Sequence, residues 1–546
     1  MAHEDKTGDG IWICLDIGST WTKATAVDPL ALRILGTARA RTTAHTDVGS
    51  GVSDALTRLA PQIGNRPVAS RLACSSAAGG LRMVAVGLVP ELTAEAARRA
   101  AFSAGAKVIR TFAHELTRTD LRELEAIVPD IVLLCGGTDG GNRRVLLHNA
   151  AALAGAAGSF PVVLAGNRSV ADEAAALLAA GGKPVRVTEN VMPEFNRLNL
   201  EPAREAIRAV FLERIIHAKG LDRLIPQLDG LLMPTPFAVL NAVRLLAQGH
   251  GGEPGLGDLL AVDLGGATTD IYSMASGEPA QAGVVWKGLP EPYAKRTVEG
   301  DLGVRYNAHA IVDTCGPGDE AIRMLADMAG ASVPEAQAWL AEIDRRPDVL
   351  PSDLNTTEQT DPYATALPEA DPSRAPARTA RLSSDVATRL DAALSSQAIG
   401  TALRRHAGTL EESFTPMGRV FLQNGKDLTA VHTLLLTGGP LTAAADPAGI
   451  GFAALRCAHA PSPPQPPSHA EPDAHSPSPP HTGPAVLLPE RVGLLLDKRY
   501  ILAAMGLLAE EHPGAALRIL KQELLALASC HPEATTAART KGDETP

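Results

Sequence analysis

The sequence predicts an α/β fold with more than one domain, and three observations support this class. Apolar strand-like runs alternate with helical segments of about 10 to 15 residues, a pattern typical of parallel sheets covered by helices. Aromatic residues make up 3% of the chain and hydrophobic residues 45%, so the cores must be built from Ala, Leu and Val. The 546 residues leave room for about two to four domains.

The first element is a strand, a glycine turn and a returning strand at residues 11–28. A glycine in the turn lets a ligand approach the backbone, and amides and hydroxyls there can donate to phosphate oxygens. An aspartate at the strand end can hold a hydrated magnesium ion. A lysine on the returning strand can place a cation against phosphates, although a solvent-edge lysine is also common. The candidates are Asp16, Gly18, Ser19, Thr20 and Lys23.

A second segment, residues 259–273, repeats this pattern. An apolar run ends in an aspartate, two glycines and two threonines follow, and a second apolar run begins at Ile271. Taken alone, an ordinary hairpin explains the pattern equally well. The candidates here are Asp263, Gly265, Gly266, Thr268, Thr269 and Asp270.

A third element is the strand 433–437, which runs into Gly438 and Gly439. Two Asp-Gly hairpins followed by a late strand and glycine pair resemble the actin, sugar-kinase and heat-shock ATPase superfamily. The resemblance implies two ribonuclease-H-like lobes, whose hairpins grip the phosphates of ATP while the late glycine pair contacts the adenosine. It also implies Mg²⁺, with Asp16 and Asp263 as the catalytic candidates and Asp16, Asp263 and Asp270 as the metal candidates.

The first lobe carries more α/β pattern than one ribonuclease-H-like lobe needs. We therefore expect an inserted α/β subdomain at about residues 83–190. Its strand-to-helix turn at Gly136–Asn142 is rich in glycine and fits either a ligand contact or a tight connection. Because it echoes Thr437–Pro440, it is also a candidate for the symmetry counterpart of the late glycine turn.

The domain boundaries follow from shifts in composition. Residues 350–380 and 459–485 are rich in Pro and Ser and have poor periodicity, which predicts flexible loops. Four histidines in the second loop could bind a metal, but a flexible surface insertion is the simpler interpretation. The predicted divisions are a flexible N-terminus at 1–10, a first lobe at 11–255, a second lobe at 257–530 and a disordered tail at 531–546.

Composition also excludes several function classes. The net charge of −11, the pI near 5.8 and the lack of a basic run argue against a nucleic-acid partner. No apolar run reaches membrane-spanning length and the N-terminus lacks the shape of a signal peptide, so we expect a cytoplasmic protein without a membrane partner. The six scattered cysteines favour buried apolar roles over zinc, iron–sulfur or disulfide sites.

Five motifs resemble those of the glutamate mutase L family, also called MutL, the methylaspartate mutase accessory proteins. The motifs at residues 74–83 and 296–305 are specific to that family, whereas the phosphate hairpins are common to the superfamily. The motifs lie at residues 15–20 with Lys23, and at 74–83, 134–142, 262–270 and 296–305. In the last motif, the charged residues fit a lobe-closing ion network, a contact surface or ordinary loop charges; they are Arg296, Glu299, Asp301 and Arg305.

The family resemblance implies an accessory protein for an adenosylcobalamin-dependent mutase. It would act as an ATP-driven reactivating chaperone, in which nucleotide-driven lobe closure promotes exchange of damaged cofactor. The expected partners are the mutase subunits. The formation of a homodimer is a further possibility that the sequence does not decide. The chain lacks the Asp-x-His-x-x-Gly cobalamin motif, which argues against its being the mutase itself.

Two alternatives stay open at this stage. A small-molecule kinase of the same fold would need an acceptor pocket and a base, and the sequence identifies neither. A non-hydrolysing structural subunit would use nucleotide only to stabilise its fold. An activator of iron–sulfur dehydratases is disfavoured because no cysteine pair is placed to hold a cluster.

Overall fold

A computed structural model gives the fold of most of the chain. It describes residues 10–18, 20–42, 48–76, 81–102, 104, 106–195, 197–216, 225–229, 232–288, 291–347, 383–415, 418–460 and 484–529. The predicted N-terminal segment, the two predicted loops and the predicted tail lie almost entirely outside these ranges. The chain divides into two compact units, and unit 1 comprises the residues up to Gly257 together with Ile501–Glu523. Unit 2 comprises Asp258–Tyr500 and the residues from Leu524 onward.

Unit 1 begins with nineteen elements in alternating strands and helices. They are β1 (Ile11–Ile17), β2 (Trp21–Asp28), β3 (Arg33–Arg41), α1 (Val48–Ile63), β4 (Val68–Ser75), β5 (Leu81–Gly87), α2 (Pro90–Phe102), β6 (Ala106–Ala113), α3 (Arg118–Ile127), β7 (Ile131–Leu134), α4 (Arg144–Gly155), β8 (Val162–Leu164), α5 (Ala171–Ala180), β9 (Val185–Val187), α6 (Glu201–Ile216), β10 (Leu232–Pro234), α7 (Thr235–Gln248), β11 (Gly249–His250) and β12 (Glu253–Pro254).

The first sheet of unit 1 has the order β10-β4-β1-β2-β3. Strand β2 pairs antiparallel with both β1 and β3, and β4 and β10 run parallel to β1. The middle strand β1 is buried along its whole length, as its apolar sequence predicts. Helix α1 covers one face through side chains spaced by about one turn, including Val48, Val52, Ala55 and Leu59.

Unit 2 follows with its own strands and helices. They are β13 (Leu259–Leu264), β14 (Thr269–Met274), β15 (Val284–Lys287), β16 (Ala294–Glu299), α8 (Ala308–Asp313), α9 (Asp319–Ala329), α10 (Val333–Arg345), α11 (Ser384–His406), β17 (Thr409–Thr415), β18 (Gly418–Asn424), β19 (Thr433–Thr437), α12 (Gly439–Ala443), α13 (Pro447–His459), β20 (Ala485–Val486) and β21 (Gly493–Leu496). The chain ends with α14 (Leu502–Leu508) and α15 (Pro513–Glu523) of unit 1 and β22 (Leu525–Ser529) of unit 2.

The main sheet of unit 2 repeats the strand order of the first sheet. Its order is β16-β14-β13-β19-β21-β22, with β13, β14 and β16 antiparallel and β19 and β21 parallel to β13. In both units an antiparallel meander is therefore followed by two parallel strands beside its first strand. This is the ribonuclease-H-like arrangement, so the predicted fold class is confirmed. A smaller sheet of order β15-β18-β17-β20 is added to unit 2.

The extra α/β subdomain is present in unit 1. Strands β5 to β9 form a separate sheet of order β6-β5-β7-β8-β9, and all neighbouring strands are parallel. Its strands span Leu81 to Val187, close to the predicted insertion. Their apolar runs are continuous, because helices on both faces remove both sides of the sheet from water.

The C-terminal helices belong to unit 1, whereas the sequence placed them in a second lobe that ended at residue 530. Every residue of α14 is buried, and the helix packs on α7, β1 and β4. The crossing with α7 is so close that a Cβ on Gly506 would lie 1.8 Å from the carbonyl oxygen of Ala238. Among the helices in the described ranges, none is long and apolar enough to cross a membrane.

Candidate functional site

The hairpin between β1 and β2 brings Asp16 and Lys23 face to face. The two residues are cross-strand partners. The turn is closed by the Gly18 amide, which donates to the Trp21 carbonyl at 3.0 Å. A Cβ on Gly18 would lie 2.6 Å from that carbonyl oxygen, so the turn requires glycine. Thr20 is half-buried and its carbonyl accepts from the Thr42 amide, whereas Ser19 lies outside the described residues.

Three side chains hold the Asp16 carboxylate, which is almost fully buried. The Lys23 ammonium donates to Oδ2 at 3.0 Å. The Thr235 hydroxyl donates to Oδ1 at 2.8 Å, and the Cys74 thiol approaches the same oxygen at 3.6 Å. Burial, followed by the charge of Asp16, raises the pKa of Cys74 well above its ordinary value. The thiol therefore stays protonated and can act as a donor.

The hairpin between β13 and β14 has the same backbone geometry. The Gly265 amide donates to the Thr268 carbonyl at 2.9 Å, and a Cβ on Gly265 would lie 2.9 Å from that oxygen. Asp263 occupies the position of Asp16 and faces Asp270 across the strands. Two hairpins of one design thus occur in two sheets of one strand order.

The Asp263 carboxylate accepts from a tyrosine at the end of the first segment of unit 2. The Tyr500 hydroxyl lies 3.1 Å from Oδ1 and 3.3 Å from Oδ2. Tyr500 follows Asp497, a buried carboxylate after β21 that accepts from the Thr437 hydroxyl at 3.1 Å. The two units therefore correspond. Thr235, which follows β10, donates to Asp16 of β1, and Tyr500, which lies in the segment after β21, donates to Asp263 of β13.

The predicted metal role of Asp270 does not fit its contacts. Its Oδ1 accepts from Nε and Nη2 of Arg296 at 2.9 and 2.6 Å, and its Oδ2 accepts from the Thr268 hydroxyl at 3.2 Å. Both side chains of this ion pair are nearly buried. Both nitrogens of Arg296 donate to the same oxygen of Asp270, and removing Arg296 would leave an unpaired buried charge, which favours a structural role for this carboxylate.

Thr269 is also structural, contrary to its prediction as a ligand contact. The residue is fully buried and its hydroxyl donates to the Leu302 carbonyl at 2.6 Å. Thr268 is only half-buried and remains at the surface of the turn. The difference follows from position, because Thr268 lies in the turn whereas Thr269 begins β14, every residue of which is buried.

The residues that follow β16, at the end of the motif at 296–305, stabilise this hairpin through backbone hydrogen bonds. The Gly265 carbonyl accepts from the Val304 amide at 3.2 Å, and the Gly266 carbonyl accepts from the Arg305 and Tyr306 amides at 3.0 Å. Gly303 is required, since a Cβ there would lie 2.2 Å from the backbone carbon of Ala267.

The charged residues of the same stretch make ion pairs within unit 2. Arg296 binds Asp270, and Arg305 binds Asp391 of α11. Glu299 and Asp301 both accept from Arg405, at 2.7 and 2.8 Å. Each of the four charged residues therefore has an ion-pair partner within unit 2.

The late glycine pair has two different environments. Gly438 is buried with φ of 110°, and a Cβ there would lie 2.2 Å from the Leu264 carbonyl oxygen. Gly439 is exposed, and a Cβ there would meet no protein atom within 4 Å. Gly438 is therefore required for packing, while Gly439 leaves its backbone open to a ligand.

The Gly136–Asn142 turn is a braced connection in the inserted sheet. The Asn167 side chain accepts from the Gly140 amide at 3.0 Å and donates to the Gly141 and Asn142 carbonyls. The Asn190 amide donates to the Gly137 carbonyl at 2.9 Å. Both asparagines are buried, which favours the scaffold interpretation.

The proposed symmetry between this turn and Thr437–Pro440 is wrong. Strand β4 pairs parallel with β1 as β19 pairs with β13, so the counterpart of the late glycine turn follows β4. Residues 77–80 of that segment lie outside the described ranges.

Across the described part of the chain, no group of three or more His, Cys, Asp and Glu side chains could by itself hold a metal ion. The remaining candidates are single carboxylates, Asp16 in unit 1 and Asp263 in unit 2. Each lies at a glycine turn with donors beside it, which suits a hydrated cation bound to phosphates better than a cage of protein ligands.

Four residues of these two half-sites escaped the sequence analysis. They are Cys74, Thr235, Asp497 and Tyr500. One signal was available, because the apolar run of β21 ends in an aspartate as β1 and β13 do. Cys74 and Thr235 carry no local signal, since strand order alone brings β4 and the end of β10 beside β1.

Comparisons with known proteins agree with these features. The family model described as MutL protein matches residues 12–367 and 370–524. Protein MutL of Clostridium tetanomorphum is 42% identical over 516 residues, which cover 94% of this chain and 99% of that protein.

Two solved structures align over most of the chain but superpose poorly. The ethanolamine utilization protein EutJ from Carboxydothermus hydrogenoformans has 10% identity and a TM-score of 0.20, with 94% of this chain and 91% of that chain covered. A carbohydrate kinase from Novosphingobium aromaticivorans has 12% identity and a TM-score of 0.25, with 96% and 93% covered. The fold assignment therefore rests on strand order and register.

Proposed function

The chain belongs to the MutL protein family, and on that premise we propose that it is an ATP-binding accessory protein that reactivates an adenosylcobalamin-dependent mutase. One observation carries the nucleotide part of the proposal. Two glycine hairpins of equal geometry end in Asp16 and Asp263, and each aspartate accepts from a hydroxyl of its own unit. Gly439 supplies an open backbone position for the adenosine.

The residues fit a magnesium–nucleotide. Hairpin amides with Thr20 and Thr268 would donate to phosphate oxygens, and Lys23 would add a positive charge. Asp16 and Asp263 would hold the magnesium ion, which would supply neutralisation of the phosphate charge. Asp270 and Thr269 are left out of this assignment because their polar atoms are bound inside unit 2.

The mutase part of the proposal rests on family membership. Nucleotide binding would close the two lobes, and hydrolysis would release them, so that the mutase is bound in one state and freed in the other. Such a cycle would allow exchange of a damaged cofactor on the mutase.

The test is ATP turnover by the purified protein, with and without an inactivated adenosylcobalamin-dependent mutase from the same organism. Asp16→Asn and Asp263→Asn should abolish turnover, because the amide lacks the charge that holds the cation. Asp28→Asn is the matched control. Asp28 lies at the other end of β2, where its side chain accepts from the Ala31 amide in the turn between β2 and β3. Turnover that rises with inactivated mutase supports reactivation.

Two results would count against the proposal. Bound nucleotide without turnover, even with mutase present, would favour a structural subunit. Equal turnover in wild type and both asparagine variants would place the chemistry away from the hairpins.

A further inference from the structure

Tyr500 makes an unusual contact for a residue outside the predicted motifs. One hydroxyl donates to both oxygens of Asp263, at 3.1 and 3.3 Å. A bifurcated donor of this kind lies between the two carboxylate oxygens. In unit 1 the two oxygens of Asp16 are instead shared, with Thr235 on one and Lys23 on the other.

The backbone of Tyr500 is held in a strained conformation. Its φ of 55° lies in the left-handed region, which non-glycine residues seldom adopt. The Tyr500 amide donates to the Asp497 carbonyl at 3.1 Å, and the Asp497 side chain accepts from Thr437. The Asp497 carbonyl thus holds the backbone of Tyr500, while the Asp497 side chain is fixed to β19 through Thr437.

We infer that Tyr500 and a magnesium-bound nucleotide compete for Asp263. The inference rests on the proposed function, in which Asp263 holds the cation. A phenol lying between both oxygens occupies the side of the carboxylate on which a cation, or a water that bridges both oxygens, would bind. Tyr500 therefore leaves Asp263 when the metal-bound nucleotide binds, and returns when it departs.

The position of Tyr500 in the chain gives this exchange a consequence. Tyr500 is the last residue of the first segment of unit 2, and Ile501 begins the C-terminal segment of unit 1. Helix α14 starts at Leu502 and packs on β1, the strand that carries Asp16. The exchange therefore takes place at the residue where the chain passes from unit 2 to unit 1.

The test compares nucleotide affinity with and without magnesium in Tyr500→Phe, which removes only the hydroxyl. Isothermal titration with ADP and Mg²⁺ should give a dissociation constant about ten- to a hundredfold lower than wild type, the effect of one hydrogen bond to a charged group. With ADP and EDTA the dissociation constants should be equal.

Tyr293→Phe is the matched control, because it also removes a tyrosine-to-aspartate hydrogen bond in unit 2. The Tyr293 hydroxyl donates to Asp258 at 3.3 Å, and neither residue belongs to the proposed site. This variant should bind both forms of ADP as wild type does. Tyr500→Asn provides a second variant that suits the left-handed backbone, and it should show the same magnesium-dependent gain.

Unchanged or weaker magnesium–ADP binding in the folded Tyr500 variants would overturn the inference. An equal gain with and without magnesium would overturn it as well, because the competition is specific to the metal. Neither result touches the proposed function, whereas a wild-type protein that binds no nucleotide would overturn both the proposed function and the inference.

Discussion

Lys23 and Asp16 form a cross-strand ion pair, with 3.0 Å between Nζ and Oδ2. The equivalent pair in unit 2 is Asp263 and Asp270, two carboxylates. Unit 2 compensates with Arg296, which reaches Asp270 from the neighbouring strand β16. The two hairpins therefore share a backbone design but differ in charge, and only the first presents a lysine beside its aspartate.

The lysine gives a first prediction. Lys23→Met should weaken ATP binding about tenfold, because a charge-assisted contact to phosphate is lost while the apolar stem is kept. Equilibrium titration with a fluorescent ATP analogue measures this. Lys107→Met is the control, since Lys107 is exposed on β6 of the inserted sheet. Equal affinities in the two variants would show that Lys23 is a solvent-edge residue.

The two threonines of the second hairpin should separate binding from stability. Thr269→Val should lower the free energy of unfolding by about 1 to 3 kcal/mol, because the buried Leu302 carbonyl loses its donor. Thr268→Val should change stability less but weaken nucleotide binding several-fold. Urea denaturation and nucleotide titration of both variants test this. A Thr269→Val protein of wild-type stability would contradict the assignment.

The late glycine pair should respond in the opposite sense at its two positions. Gly438→Ala should destabilise the protein by at least about 2 kcal/mol, since its φ is positive and its Cβ would meet the backbone of Leu264. Gly439→Ala should leave the melting temperature nearly unchanged, because its Cβ meets open space. If adenosine lies against this turn, Gly439→Ala should nevertheless reduce ATP affinity. Unaltered affinity in Gly439→Ala would remove the turn from the site.

Lys426 predicts a dependence of stability on pH. Its ammonium is fully buried and donates to the Pro292 and Tyr293 carbonyls at 2.9 and 2.6 Å. Burial, followed by the charge of Lys295, lowers the pKa of Lys426 to about 7 against the opposing effect of the Glu291 and Asp258 carboxylates. His406 is also buried, and this burial is the main cause of its lowered pKa.

The sign follows from proton binding. Above a pH of about 7 the folded state loses the Lys426 proton, while the unfolded chain keeps it up to the ordinary lysine pKa of about 10.4. The unfolded state then binds more protons, so the contribution of Lys426 to stability rises with pH across this window. Relative to Lys426→Met, the free energy of unfolding should increase by up to about 1.4 kcal/mol per pH unit. Urea denaturation between these limits, with exposed Lys287→Met as control, measures it; parallel curves would refute it.

The sequence by itself determined the parts of this protein that depend on local pattern. Apolar runs ending in Asp16 and Asp263, with glycines directly after them, are sufficient to predict two hairpins, because the turn needs glycine whatever surrounds it. Alternating strands and helices were sufficient for the inserted parallel sheet, since burial on both faces requires continuous apolar runs.

Tertiary structure decided which polar groups are available to a ligand. Thr268 and Thr269 are neighbours in sequence, yet Thr268 lies half-buried in the turn and Thr269 is fully buried at the start of β14. Asp270 was indistinguishable from a metal ligand until β16 brought Arg296 against it. Tyr500 and Asp263 are far apart in the chain and meet only because β19 and β21 lie beside β13. The partner of each polar atom depends on strand order, which no local pattern contains.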